Sequence, residues 1–448
     1  MKKTILTVFS ITIYAFGFSQ EIPETLNLQE AIDFALENNR TAKNAQRDIE
    51  AAENQKWETI ASGLPQISAS IDYNHWLKQQ VSLIPAEFFG GNPGDFAEVA
   101  FGTKKTMNAT ATLNQKIFDG SYLVGLQSAK VFLEISKNAK EKTDLEVREA
   151  VINAYGNVLL SEESVKILER NIAVLEKNLN ETTKIYENGL GEEESVEQLQ
   201  ITLSSIKSNL ANTERLKTLA YKMLNITLGV DLDSNIKLTD DLNSLTTENM
   251  VVSLLDADEN IEQTIDYKIA ENDKVSKELL LKLEKSKALP TLNAFINGGY
   301  VGNNNQFKFL QSSQKWFGTS LLGISMDIPI FSSRMRSAAT QRAKINLEKA
   351  KDDLTETQQQ LKLQIETAKS EYKFAIEDYQ NKKDNLSLAE RIEKKNQVKF
   401  FEGISSSFDL RQAQTQLYTA QQELLQAMLD VINKKAALET VLNEIPKN

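Results

Sequence analysis

The sequence predicts a mainly α-helical chain with a small β part, assembled from two tandem copies of one unit. Three observations carry this reading: two long stretches without proline, apolar residues spaced as heptads inside them, and an ordered set of short markers that occurs twice. At 448 residues the chain is long for one compact domain. Its seven prolines sit at 23, 65, 85, 93, 290, 329 and 446, so 94–289 and 330–445 contain none. Proline costs about 3 kcal/mol inside a helix, and these spans are rich in Leu, Glu, Lys and Gln, which favour one.

The heptads place the helices. Val165, Leu168, Ile172, Leu175, Leu179, Thr182 and Tyr186 alternate steps of three and four. So do Leu410, Ala413, Leu417, Ala420, Leu424, Ala427 and Val431, and shorter seams run through Leu361–Tyr379 and Leu199–Leu210. These seams are narrow and flanked by polar residues, which favours extended coiled coils over ordinary globular helices. Long helices are expected at about 120–187 and 333–401, returning helices at about 194–228 and 407–443, and leading helices at about 28–61 and 262–288.

The markers show the duplication. Gly63-Leu64-Pro65 and Ala288-Leu289-Pro290 each open an alternating stretch. Lys116-Ile117-Phe118-Asp119-Gly120 and Pro329-Ile330-Phe331-Ser332-Ser333 each precede a long helix. Tyr186-Glu187-Asn188-Gly189 and Phe401-Glu402-Gly403 each end one. The order is kept, and a longer first loop absorbs the one difference in offset. The division is then a signal segment 1–19, a first repeat 20–229 with a hairpin at about 64–118, a connecting segment 230–260, and a second repeat 261–448 with a hairpin at about 289–331.

Four strands show a two-residue period. Ile67, Ala69, Ile71 and Tyr73 oppose Gln66, Ser68, Ser70, Asp72 and Asn74; Met107, Ala109, Ala111 and Leu113 oppose Thr106, Asn108, Thr110, Thr112 and Asn114. Leu292, Ala294 and Ile296 oppose Thr291, Asn293 and Asn297, with Phe295 an exception. Leu322, Ile324, Met326, Ile328 and Ile330 oppose Gly323, Ser325 and Asp327. Lengths of roughly 9–12 residues and one apolar face suit a membrane barrel. Tyr73, Trp76, Tyr300, Trp316 and Phe317 would form an interfacial girdle.

Met1–Ser19 reads as an export signal, with Lys2 and Lys3 before the apolar run Ile5–Phe18 and small residues near a cut at Gln20 or Glu21. The net charge of −11 and the lack of a basic patch with aromatics speak against nucleic acid. With no cysteine there are no disulfides, thiolate metal sites or Cys nucleophiles. The one histidine, His75, reads as a solvated loop or strand-end residue, and no cofactor, metal or catalytic site is expected. Four strands cannot close a membrane barrel, and open edges are not tolerated in lipid, so the chain must associate. Two copies would give a filled eight-stranded barrel; three would give twelve strands and an aqueous bore.

The ordered set of features resembles the TolC-like outer-membrane efflux proteins over essentially the whole mature chain. The resemblance is carried by Leu26 through Asn39, Leu64-Pro65, Leu289-Pro290, Ile117-Phe118-Asp119-Gly120, Ile330-Phe331, and Gly403 with Ser407-Phe408-Asp409-Leu410. It implies a homotrimer, a 12-stranded β-barrel in the outer membrane continued by an α-helical coiled-coil barrel in the periplasm. It also implies a periplasmic adaptor (membrane fusion) partner and an inner-membrane pump of RND or ABC type, in tripartite efflux or type I secretion. Arg40, Ser195 and Gln412 depart from residues common in the family. The alternative from the sequence is a structural or adaptor-type periplasmic coiled-coil protein.

The functional candidates are the helix turns. Asp409, Glu192, Glu193, Glu194 and Gln412 are candidates for a pore constriction, because rings of carboxylates attract cations. Glu192 to Glu194 fit equally well as acids at a helix N-terminus. Gly189 and Gly403 would supply tight turns, with Leu190, Ile404, Ser405 and Ser406 exposed for adaptor docking.

Overall fold

The computed structural model describes residues 23–257 and 260–444; the export segment read in the sequence lies outside them. In chain order the elements are β1 (Thr25–Leu26), α1 (Leu28–Asn38), α2 (Arg40–Ala61), β2 (Gln66–His75), β3 (Val81–Pro85), β4 (Phe96–Ala100), β5 (Lys105–Phe118), α3 (Gly120–Glu187), α4 (Glu193–Leu228), β6 (Lys237–Leu238), α5 (Leu242–Glu248), α6 (Ile265–Ser286), β7 (Thr291–Asn304), β8 (Trp316–Asp327), α7 (Met335–Phe401) and α8 (Ser407–Leu442). The helices α3 and α7 run 68 and 67 residues, which is about 100 Å each at 1.5 Å per residue. The chain divides into two compact units. One takes the residues up to Lys43, those from Asp144 through the connecting segment, and those from Ile365 onward; the other takes Asn44–Thr143 and the stretch that ends at Gln364.

The second unit holds a four-stranded antiparallel sheet in the order β2-β5-β7-β8. Its register aligns the two hairpins face to face with the alternation. Ile67 lies opposite Leu113, Leu113 opposite Ile296, and Ile296 opposite Leu322. Two residues further out on this face come Ala69 and Ala111, then Ile71, Ala109 and Tyr300, then Tyr73, Met107 and Trp316. One apolar face therefore spans all four strands. It is bare in the single chain: Ile67, Ile71, Leu322 and Ile324 are each more than 70% exposed. The Phe295 exception has a steric cause. Phe295 pairs with Gly323, and its ring occupies the space where a side chain on Gly323 would sit.

Three expectations change here. The last strand stops at Asp327, so Ile328 and Ile330 lie beyond it although both remain exposed; Pro329 has no N–H to continue the ladder. The long first loop carries its own two-stranded ladder, β3 with β4, joined through a 3₁₀ turn at Ala86–Phe89. The leading helix expected at 28–61 is broken at Asn39, whose extended backbone ends α1. Asn39 Nδ2 donates to the Thr227 carbonyl at 2.7 Å, and its Oδ1 accepts from the Thr41 N–H at 2.7 Å. Arg40 thus opens α2, a first-turn position that proline also suits.

The first unit is organised around buried tyrosines. Tyr155 on α3 donates to Asp240 Oδ2 at 2.8 Å and lies 3.1 Å from the Leu26 carbonyl oxygen. The same Asp240 oxygen accepts from the Leu28 N–H at 2.8 Å. Burial, then the neighbouring Asp240, pushes the Tyr155 phenol well above its ordinary value. This ties the parallel pair β1–β6 to α3. Tyr372 on α7 does the same for the end of α5, donating to the Asn249 carbonyl at 2.6 Å and accepting from the Val251 N–H at 2.9 Å. Arg148 on α3 and Lys435 on α8 both pair with buried Glu439, at 2.7 and 3.0 Å. Removing one partner of such a buried group leaves the other's charge uncompensated.

Tyr155→Phe keeps the ring and deletes the hydroxyl. It is expected to destabilise the first unit by about 1–3 kcal/mol, read as a lower denaturation midpoint. An unchanged midpoint would mean the Asp240 contact carries no net stability.

Candidate functional site

Both long helices end in the same way. The Gly189 N–H donates to the Tyr186 carbonyl at 2.8 Å and the Leu190 N–H to Ile185 at 3.0 Å; the Gly403 N–H donates to Phe400 at 3.0 Å and the Ile404 N–H to Lys399 at 2.8 Å. This is the Schellman pattern, which needs a left-handed residue. Gly189 and Gly403 supply it, with φ of 73° and 74°. The turn leaves Leu190 81% and Ile404 71% exposed. Ser405, expected to be exposed, is half-buried, because its hydroxyl turns back to donate to Asp409 Oδ2 at 3.1 Å.

The two returning helices start differently. On α8, Ser406 is the N-cap and Asp409 completes a capping box: the Asp409 N–H donates to Ser406 Oγ at 3.2 Å, and Asp409 Oδ2 accepts from the Ser406 N–H at 3.1 Å and its hydroxyl at 2.7 Å. These Ser406 bonds, with the Ser405 hydroxyl, hold the exposed Asp409 carboxyl below its ordinary range. On α4 the residue types are reversed, with Glu192 at the N-cap, making no side-chain cap bond, and Ser195 at the third helical position. Glu192, Glu193 and Glu194 are exposed, and Glu194 Oε1 accepts from Gln198 Nε2 at 2.8 Å. Gln412 is exposed on the first turns of α8. Within one chain the structure thus gives Asp409 a capping role and leaves the three glutamates free of such a role.

Behind the tips the helices pack through a seam that sequence periodicity only half located. The buried stripe on α3 is Leu168, Asn171, Leu175, Asn178 and Thr182. Ile172 and Leu179 flank it, while Tyr186 is exposed. Asn171 Nδ2 donates to Gln421 Oε1 at 2.8 Å, and Gln397 Nε2 donates to Asn178 Oδ1 at 3.0 Å. Gln414 is 1% exposed and adjoins Glu393 of α7, whose carboxyl burial pushes up, with the Gln414 amide opposing. A count of apolar residues cannot see this layer; the seven-residue spacing of Asn171 and Asn178 is the signal that could have found it. The returning helix α4 also carries an uncovered heptad stripe, Leu216, Leu219, Met223 and Ile226, each more than half exposed.

A sheet with one bare apolar face, joined to paired long helical hairpins and built twice over, defines a class of proteins that place a β-part in a membrane and an α-part outside it. The chain belongs to the outer membrane efflux protein family, whose model matches residues 31–230 and 280–444. It is an outer-membrane protein of the efflux class. Among solved structures it is similar to VceC of Vibrio cholerae, with 16% identity, 93% of this chain and 95% of that chain covered, and a TM-score of 0.70. It is similar in the same way to the Campylobacter jejuni outer membrane channel CmeC, with 16% identity, coverage of 93% and 86%, and a TM-score of 0.72. The open-state Neisseria gonorrhoeae outer membrane channel MtrE gives 17% identity, 93% and 88%, and 0.70. At these identities the likeness shows the fold. No curated protein matches the chain by sequence.

Two pH effects follow from the tips. Glu393, raised above its ordinary 4.5 by burial, costs stability when ionised, so that cost is present above its folded value and gone below 4.5. Glu393→Gln is expected to melt higher than the parent at pH 7, with the gap closing by about pH 4; a gap independent of pH would refute this. Asp409, lowered below 3.8, stabilises above 3.8 and loses that effect as pH falls through its folded value. The protection of the amides at 406–412, measured as exchange relative to the intrinsic rate at each pH, should therefore fall at low pH in the parent and stay constant with pH in Asp409→Asn.

Proposed function

We propose that the chain forms a homotrimer whose three sheets join into a 12-stranded outer-membrane barrel, continued by a periplasmic barrel of its helices, as a passive conduit from periplasm to exterior. The observation that carries this is the bare apolar face on a sheet with two unpaired edges, β2 and β8. Each unsatisfied backbone group in lipid costs several kcal/mol, roughly. The edges run antiparallel to each other through the order β2-β5-β7-β8, so β8 of one copy can pair with β2 of the next and continue the same meander. Three copies leave a bore that two would fill. The uncovered stripe Leu216–Ile226 on α4 supplies an apolar seam for a neighbouring subunit's helices.

The exposed turns at Leu190 and Ile404 are the docking points for a periplasmic adaptor, which couples the conduit to an inner-membrane pump of RND or ABC type in tripartite efflux or type I secretion. Three copies of Glu192 to Glu194 and Asp409 around one axis would form carboxylate rings that attract cations and resist anions. Gln412, one turn further along α8, adds a neutral polar group to that constriction. The repeats are taken as 20–229 and 261–448 with 230–260 connecting them.

The purified protein is expected to run as a heat-sensitive trimer and to conduct in planar bilayers; a water-soluble monomer without conductance would overturn the conduit. Leu190→Glu with Ile404→Glu is expected to abolish export in cells while trimer and conductance persist. Undiminished export would remove the turns as docking points.

A further inference from the structure

The outer end of the apolar sheet face carries a concentration of positive charge that the conduit does not require. The chain has a net charge of −11. Yet the segments that bound the strands at this end, 74–80, 101–106 and 303–317, contain five lysines and the only histidine, and no Asp or Glu; the three acids of the same connection, Glu87, Asp95 and Glu98, belong to the β3–β4 ladder and its turn, beyond those segments. Among the described residues, none of Lys78, Lys104, Lys105, Lys308 and Lys315 forms an ion pair. Asp72 lies close in sequence, but its alternation puts it on the opposite face.

The register places this charge at the edge of the apolar band. His75 and Lys105 are cross-strand partners. By alternation they lie on the same face as Tyr73 and Met107, one step further out. Lys105 pairs on its other side with Asn304, whose Nδ2 donates to Gln314 Oε1 at 2.9 Å. The 305–315 loop folds back over this end of the face. Phe309 is 3% exposed and packs with Tyr73 at 6.0 Å and Trp316 at 6.3 Å between ring centroids, while Phe307 meets Tyr73 at 5.4 Å. Lys308 lies between those two phenylalanines in sequence and Lys315 next to Trp316, so the aromatic contacts fix their backbone at this end of the sheet, and both side chains are exposed.

We infer that this rim is a headgroup site for a phosphorylated glycolipid of the outer leaflet, with its acyl chains on the Ile71–Tyr73 face and its phosphates among Lys105, Lys308 and Lys315. Charge complementarity selects the ligand: an anionic headgroup meets unpaired lysines, and only a lipid also covers the apolar surface continuous with them. Aromatic rings suit the boundary between the two, and each lysine near an anionic surface is worth roughly fivefold in binding. This inference rests on the proposed reading that the face meets lipid.

The test uses the full-length protein in detergent, with native mass spectrometry of lipid adducts. The probes are diphosphorylated lipid A, the same lipid with both phosphates removed, and inorganic phosphate as competitor. The parent is expected to retain the phosphorylated lipid roughly tenfold or more over the dephosphorylated one, with millimolar phosphate failing to displace it. K105Q/K308Q/K315Q should lose this preference and keep planar-bilayer conductance. Equal retention of the two lipids by the parent would overturn the site, whether or not the variant assembles. So would full competition by free phosphate, or an unchanged preference in the triple variant. Conductance is read separately, so a failed headgroup site and a failed conduit give different results.

Discussion

Two unpaired sheet edges set the terms for everything else in this protein. An edge strand of ten to twelve residues presents a row of N–H and C=O groups along its free side, and lipid offers those groups no partner. The aligned apolar face, with Ile67, Leu113, Ile296 and Leu322 in one row, makes a watery environment equally poor. Both demands are met together when sheets from several copies join edge to edge with the apolar side outward. Duplication serves that end, since it yields two hairpins of matching polarity in one sheet from one chain.

The helical part answers a different constraint. A helix of 68 residues cannot be stabilised by its own propensity on an otherwise uncovered surface and needs continuous side-to-side packing. Within the chain that packing comes through the buried residues between Leu145 and Leu159 and through the stripe Leu168–Thr182 with its partners. The buried asparagines there cost packing energy relative to leucine, but their bonds to Gln397 and Gln421 specify which turn of α3 faces which turn of α7 and α8. Register of this kind brings the two tips, at Gly189 and Gly403, to matching ends of their hairpins.

The broad architecture was legible because it rests on repeated, local rules. Proline gaps marked the long helices, strict alternation marked the strands, and the glycines marked the turns at Gly189 and Gly403. What escaped was set by tertiary partners. Asn39 breaks a helix because the Thr227 carbonyl takes its amide. Asn171 and Asn178 are buried because Gln421 and Gln397 meet them. Phe307 and Phe309 carry no signal in the sequence because their loop has no period, although they complete the aromatic cluster with Tyr73 and Trp316. At the tips, Asp409 was legible as a residue of interest, and the Ser-x-x-Asp spacing from Ser406 is itself the signal of the capping box it forms. Carboxylate rings, by contrast, are a property of several chains together, and no single-chain sequence pattern distinguishes them from acids at a helix start.

The central claim is that β8 of one subunit pairs with β2 of another. The chain has no cysteine, so chains carrying one introduced cysteine in β2 and one in β8 report that pairing cleanly. Within one sheet the two strands are roughly 14 Å apart, too far for a disulfide within the chain. Oxidation in membranes should give covalent dimers and trimers for in-register pairs, with nothing larger. Uncrosslinked monomers at every pair tried, or a ladder running past three, would contradict closure by three subunits.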